Sequence, residues 1–549
     1  MKPTEQQKDI IEYNGNCVVI ASPGSGKTYV LSQKIKRNLS ILKEHQGVIA
    51  ISYTRKASNE LKNRSLSNGE NPKSSFFGTI DKFYLSEIII PFAKQLWGLP
   101  LNVFDIIKIN DLSSEESVSF SWFDRNVKLE DLTKDNIELF KQYYLKGIIF
   151  IETIGVLANY IFTHSLACRK YLKARYKYLY IDEYQDSGFE QHQIFLKLKS
   201  LGLISVAVGD LNQSIYAFSG KSSEFLKSLK EDKEFKKFAL NKNHRCHASI
   251  INYSNYLINP NFELIKTDVK RVFFKRINGN EKEIAKFIDK AIPLLKKHFK
   301  VEYNSQIAVL VRGDRTGSII NNNLSITHKY FISNALDTSL NVWSGIFSNL
   351  LYYFLDSKHK FIEVVEEFTS YDNLTRNEKR KLLNQKKNID KINFESLNPD
   401  FITETFIEIA KVIAPVAENQ ESVELLKQVL NNSIELQSYK PASDNEIVIM
   451  TLHKSKGLEF DIILHLDLYE WVFPNKQPGP DNDFNNPVYG SWEQDINLHY
   501  VGITRAKEAC FLISSTKRTN KNNEEKNGRD SDFLLIDNIS KLRIDMNKK

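Results

Sequence analysis

The chain has 549 residues, more than one compact core organises, so several domains of ordinary size are expected. Apolar residues make up 42% and charged residues 26%, which excludes a disordered chain. The net charge of +8 is mild for this length and compatible with a nucleic-acid groove, and the cysteines (Cys17, Cys168, Cys246, Cys510) form no C-x-x-C pair, which argues against a zinc ribbon, iron–sulfur cluster or disulfide framework.

The N-terminus MKPTEQQKDI has no signal-peptide pattern, and no apolar run reaches membrane-span length; a cytoplasmic protein with no membrane partner is expected. Val18–Ile20 reads as a short buried strand and Tyr29 onward as a helix. Between them, Ala21-Ser22-Pro23-Gly24-Ser25-Gly26-Lys27-Thr28 forms a phosphate-binding loop with alanine at its first glycine position. Gly24 and Gly26 let backbone N–H groups turn toward phosphate oxygens, and the N-terminus of the helix that follows at Tyr29 adds its positive end. Lys27 reaches the β- and γ-phosphates of a nucleoside triphosphate, and the Thr28 hydroxyl ligates Mg²⁺.

Val48–Ile51 reads as the next strand, after which about 85–150 lacks strand alternation and reads as mostly helical. Strands resume at Tyr178–Ile181, ending in Asp182-Glu183, and at Ser205–Val208, ending in Gly209-Asp210 with Gln213 beyond. Asp182 at a strand end beside the loop is placed to hold Mg²⁺, Glu183 to act as general base, and Gln213 to contact the γ-phosphate. A second strand series, Ile307–Val311, Glu446–Met450 and Ile462–Leu466, is interrupted by a charge-rich helical stretch at about 335–440. Within it, 376–391 carries seven Lys/Arg against two acids and reads as a solvated helix face, or a surface for duplex DNA or a partner. The polar run Lys517–Asp530 reads as a loop. The expected fold is α/β, with two parallel-sheet cores, each interrupted by a mainly helical insertion.

In this order the motifs resemble the UvrD/Rep/PcrA group of superfamily 1 DNA helicases, and the resemblance covers most of the chain. It implies two RecA-like cores, the first over 1–84 and 151–262 around an insertion at 85–150, the second over 263–334 and 441–549 around an insertion at 335–440. Gln6 in TEQQKDII matches the adenine-reading glutamine. SYTRKASNEL (52–61) and GTIDKF (78–83) match early DNA-contacting motifs, which places Thr54, Arg55, Thr79 and Phe83 on the DNA track. LNKNHRC (240–246) puts Arg245 on the γ-phosphate and His244 at the base, where a tyrosine is usual. MTLHKSKGLEF (450–460) supplies Glu459 for the ribose and His453 for DNA, and YVGITRAK (500–507) supplies Arg505 as the trans-core arginine. Tyr216 and Phe218, beside Gln213, are placed to stack on bases.

Departures from the family pattern are Asp81 for histidine, Ser219 for arginine, and Gln494-Asp495-Ile496-Asn497 where two acids and two basic residues are usual. The resemblance implies an ATP-driven translocase on single-stranded DNA that unwinds duplex DNA with 3′-to-5′ polarity. Short inserts, the ASPGSGKT wording and the lack of a nuclease signature make the chain similar, more narrowly, to the helicase subunits of Gabija-type anti-phage defence systems, with a separate nuclease as partner. The alternative function is an ATP- and DNA-binding regulatory subunit of a nuclease complex.

Overall fold

The computed structural model describes residues 3–548 except 54, 68, 102–103, 124–126, 216–219, 333, 340, 370, 372–373, 395–396 and 521, with the backbone alone at 55, 56 and 416. Two parallel sheets organise the chain. The first contains β1 (Cys17–Ala21), β2 (Gly47–Ile51) and β3 (Phe76–Gly78) from before the first insertion. The insertion itself carries a short parallel pair, β4 (Asp105–Ile107) and β5 (Ile148–Phe150), among its helices Ile90–Trp97 and Lys134–Leu145. The described residues of 85–150 are thus mostly helical, as expected, with one short parallel strand pair added. After it come β6 (Tyr176–Ile181), β7 (Ile204–Gly209) and β8 (Lys236–Leu240), and the spatial order is β3-β2-β6-β7-β1-β8.

The second sheet assembles β9 (Val272–Ile277), β10 (Ile307–Val311), β11 (His328–Phe331), β12 (Ile447–Thr451) and β13 (Phe460–His465). A hairpin of β14 (Lys476–Gly479) and β15 (Asp483–Tyr489) follows, outside that sheet. Next come β16 (Ala506–Ser515), the antiparallel hairpin β17 (Lys517–Thr519) and β18 (Glu525–Asn527), and finally β19 (Ile544–Asp545). The seven-stranded order is β11-β12-β10-β13-β16-β9-β19. The loop expected at 517–530 is therefore a polar hairpin: its backbone pairs, while its side chains give none of the apolar alternation that announces strands.

Both sheets read as near-continuous apolar runs because helices cover both faces. In the first core, Leu31, Ile35 and Leu61 pack with β1 and β6 residues on one side, and Ile194, Phe195 and Leu226 close the other. In the second, Ile284, Ile288 and Ile320 cover one face, and Ile250, Tyr253 and Val501 the other. The 335–440 stretch is helical among the described residues, from Val342–Leu355 to Gln420–Asn431. Its basic segment forms the helix Arg376–Asp390, anchored by buried Leu382 and Ile389 with its charged residues outward. Among the described residues no helix is long and apolar enough to cross a membrane.

Candidate nucleotide site between the two cores

In the first sheet β6, β7 and β1 are neighbours, so the residues after their C-terminal ends share one edge. After β1 the loop turns through Gly24 (φ +64°) and Gly26 (φ +83°), and Gly26 caps the helix Lys27–Leu39. These left-handed values and the space both require glycine: a Cβ at Gly24 would lie 2.6 Å from the Arg245 Cβ and from the Asn243 Oδ1. The loop is braced from outside. Ser22 N–H donates to the Leu240 carbonyl (2.9 Å), and the Gln7 amide donates to the Ser25 carbonyl (3.0 Å).

That brace separates two glutamines. Gln7 is buried against the loop, while Gln6, the residue matched to adenine reading, is exposed and lines a shallow cavity of about 390 Å³ with Thr4, Glu5, Asn241 and Lys242. Among the residues of TEQQKDII, the direct contact with the phosphate loop belongs to Gln7, which the sequence reading passed over. His244 is exposed, and its N–H donates to the Gly24 carbonyl (2.9 Å).

After β6, the Thr28 hydroxyl lies 3.4 Å from the Asp182 Oδ2, which brings together two hard oxygen donors suited to Mg²⁺. Lys27 Nζ pairs with Glu183 Oε1 at 2.9 Å. Glu183 itself sits at φ 54°, ψ 40°, a left-handed conformation that a side chain adopts at a cost and that recurs at functional sites. Burial pushes the Asp182 carboxyl up to about 6, helped by the neighbouring Glu183 charge. Burial pushes Glu183 the same way, but Lys27 and Lys456 outweigh it and hold Glu183 below the usual carboxylate range. Lys27 is held above its ordinary value: burial pulls it down, and Glu183, Asp210 and Asp182 more than offset that.

The second core meets this edge with the N-terminal ends of β13 and β16. Arg505 is 2% exposed. Its Nε and Nη1 donate to the Val501 and Leu458 carbonyls (3.0 and 3.2 Å), and its Nη2 reaches the Gln213 Oε1 at 3.5 Å. Burial, then the nearby Arg245 charge, lowers its pKa to about 10. Arg245 pairs with Glu459 (2.8 Å), which also holds Lys507 (3.0 Å). Lys456, a residue within KSKGLEF to which the sequence reading gave no role, crosses the junction. It pairs with buried Asp186 at 2.6 Å and donates to the Gln213 carbonyl at 2.8 Å. The structure thus brings Lys27, Thr28, Asp182, Glu183, Gln213, Arg245, Glu459 and Arg505 around one junction.

The DNA candidates divide differently. Phe83 is 0% exposed, with its ring against Phe76 (5.3 Å) and Tyr176 (6.3 Å). Its placement on the DNA track is corrected: the aromatic cluster beneath β3 leaves no face for a base. Thr79 caps the helix Ile80–Phe83 by accepting from Lys82 N–H (3.4 Å). His453 is half-buried, and burial, with Arg312 and Lys456 nearby, lowers its pKa to about 4. Thr54, Tyr216 and Phe218 lie outside the described residues, as does the side chain of Arg55, whose backbone opens the helix Arg55–Ser65.

The tandem cores and their junction define a class, and the comparisons agree. An AAA domain matches residues 6–219 and a UvrD-like helicase C-terminal domain matches 329–517. The chain belongs to the UvrD/Rep-like superfamily 1 helicases, which are ATP-dependent DNA helicases. It is similar to the Gabija protein GajB of Bacillus cereus (strain VD045), with 26% identity over 93% of this chain and 95% of that protein. It is also similar to the ATP-dependent DNA helicase Rep of Buchnera aphidicola subsp. Acyrthosiphon pisum (25% identity; 93% and 95% covered). A probable DNA helicase II homolog of Rickettsia conorii matches at 24% identity, with 94% and 92% covered.

Proposed function

We propose that this chain couples ATP hydrolysis to 3′-to-5′ translocation on single-stranded DNA and unwinds duplex DNA ahead of it, in anti-phage defence and together with a separate nuclease. The observation that carries the motor is the convergence of Lys27 and Glu183 from one core with Arg505 from the other, joined through Gln213. Similarity to GajB over nearly the whole chain supports the defence role and the nuclease partner.

In this reading the Lys27–Glu183 pair is a resting arrangement. A triphosphate in the loop offers Lys27 a stronger anion than one carboxylate, so Lys27 turns to the β- and γ-oxygens and Glu183 is released. Glu183 then takes the proton from the water that attacks the γ-phosphorus. Thr28 and Asp182 would hold Mg²⁺, which supplies charge neutralisation at the phosphate oxygens. Gln213 contacts the γ-phosphate, and Arg245 and Arg505 offset the charge that develops on the transferring group. ATP draws the cores together and phosphate release lets them part, so each cycle moves one core along the strand.

The test is strand displacement on 3′-tailed, 5′-tailed and blunt duplexes with ATP. Displacement confined to the 3′-tailed substrate is expected; ATP hydrolysis without displacement of any of them would favour the regulatory-subunit alternative. For the pathway, phage plating is compared with and without a co-expressed candidate nuclease, and protection by the pair alone is expected.

A further inference from the structure

The segment Asp210–Ile215 leaves β7 of the first core, yet the second core grips it. Ile215 is buried in the second core's apolar cluster with Tyr500 and Val501. Lys456 donates to the Gln213 carbonyl (2.8 Å), and the Asn497 Nδ2 donates to the Ser214 carbonyl (3.2 Å). Asn497 is 6% exposed, and it stands in the QDIN stretch where the family pattern has a basic pair. A neutral amide suits a buried carbonyl partner, since it donates without bringing a charge to be compensated.

The same segment holds Gln185. Asp210 N–H donates to the Gln185 Oε1 (3.0 Å), and the Ser214 hydroxyl donates to the Gln185 carbonyl (3.3 Å). Because a backbone N–H only donates, it fixes which end of the Gln185 amide is oxygen. The Nε2 end then faces and donates to Glu183 Oε2. There is no slack behind it: a Cβ on Gly209 would lie 2.5 Å from the Gln185 Oε1. Gln185 is fully buried, so its position follows whatever holds Asp210 and Ser214.

We propose that Asn497, acting through Ser214 and Gln185, is a positioning residue for Glu183, so that the second core's placement on DNA sets the aim of the base. The proposal rests on Glu183 being the base. Its contacts differ from those of the arginine route: Asn497 donates to the Ser214 carbonyl, whereas Arg505 is held by the Val501 and Leu458 carbonyls and the Gln213 side chain. Small errors in the aim of a catalytic group cost turnover far more than they cost ligand binding.

The experiment measures ATP hydrolysis by the full chain, with and without single-stranded oligonucleotide, in Asn497→Leu and Ser214→Ala and in the double variant. Asn497→Leu keeps shape and removes the donor; if it fails to fold, Ser214→Ala breaks the same relay from the other side. DNA-stimulated kcat is expected to fall about tenfold in each single variant, with KM for ATP within about twofold of wild type. The double variant is expected to lose no more than the worse single. Stimulated turnover within about twofold of wild type in both singles, or losses that multiply in the double, overturns the relay alone. Wild-type turnover indifferent to DNA, or undiminished in Glu183→Gln, overturns the underlying reading and the relay with it.

Discussion

The two cores share an architecture and divide most of the charge at their junction, Lys27 and Arg245 of the first and Glu459 of the second being the exceptions. The first core brings acids: Asp182, Glu183, Asp186 and Asp210 all follow the C-terminal ends of β6 and β7. Asp186 and Asp210 are each pushed up to about 6 by burial, against the pull of Lys456 and Lys27 respectively. The second core brings cations: Lys456 precedes β13, and Arg505 and Lys507 flank the start of β16. Docking buries charge of both signs at the junction, and burying either sign is costly without its partner. The comparison teaches that the charged junction is a property of docking: Lys456 of the second core meets Asp186 of the first, and Arg505 meets Gln213.

The sharpest way to break this division is Arg505→Ala. Its guanidinium belongs to the second core, yet hydrolysis should fall on the order of 10³-fold, the scale of an arginine finger. ATP binding, which rests mainly on the first core's loop, should change much less, and DNA should no longer stimulate turnover. Arg505→Lys keeps the charge without the planar fork and should rescue little. Steady-state hydrolysis beside direct nucleotide binding separates the two effects; normal DNA-stimulated hydrolysis by Arg505→Ala would mean that the first core works alone.

Lys456→Met tests the docking itself. Removing one partner of a buried pair leaves Asp186 uncompensated, at a cost of roughly 3–5 kcal/mol if the cores stay together. The cores should therefore separate more readily, which scattering or a distance probe across the junction would read as expansion. An unchanged distance distribution with unchanged hydrolysis would show that Lys456 is incidental to docking. Glu183→Gln, wholly within the first core, should leave docking and ATP binding intact while hydrolysis drops by about 10²-fold or more. Turnover within a few-fold of wild type would remove Glu183 from the role of base.

The same division governs what the sequence discloses. Strands such as Val18–Ile20 and Ile307–Val311 were legible because parallel strands covered on both faces are continuous apolar runs. The phosphate loop and the Asp182-Glu183 pair were legible because each is a local string with its own chemistry. Contacts between the cores were not, since they depend on residues far apart in the chain. Lys456 finds Asp186 across 270 positions, and Asn497 finds Ser214 across 283. Phe83 misled for a related reason: an aromatic residue in a DNA motif looks the same whether its ring faces a base or, as here, Phe76 and Tyr176. The β17–β18 hairpin was hidden because KRTNKNNEEKNGRD has no apolar face for a pattern to reveal.

The smallest expected effect concerns the part of the site the first core builds without help. Thr4 and Gln7 cap the helix Glu5–Glu12 reciprocally: the Thr4 hydroxyl accepts from Gln7 N–H (3.3 Å), and Gln7 Oε1 accepts from Thr4 N–H (3.0 Å). The other end of the Gln7 amide holds the Ser25 carbonyl. Thr4→Ala removes one capping bond and leaves the Gln7 amide oriented by the Thr4 backbone, so stability should fall by about 0.5–2 kcal/mol with little change in KM for ATP. Gln7→Leu removes both grips, freeing the Ser25 carbonyl and the Thr4 N–H together. It should raise KM for ATP while DNA stimulation, a matter of docking, persists as a ratio. Thermal unfolding alongside KM and the stimulation ratio separates the two variants. Should Gln7→Leu abolish DNA stimulation while KM stays at the wild-type value, the phosphate loop would be answering to the second core after all, and the division of labour between the cores would have to be redrawn.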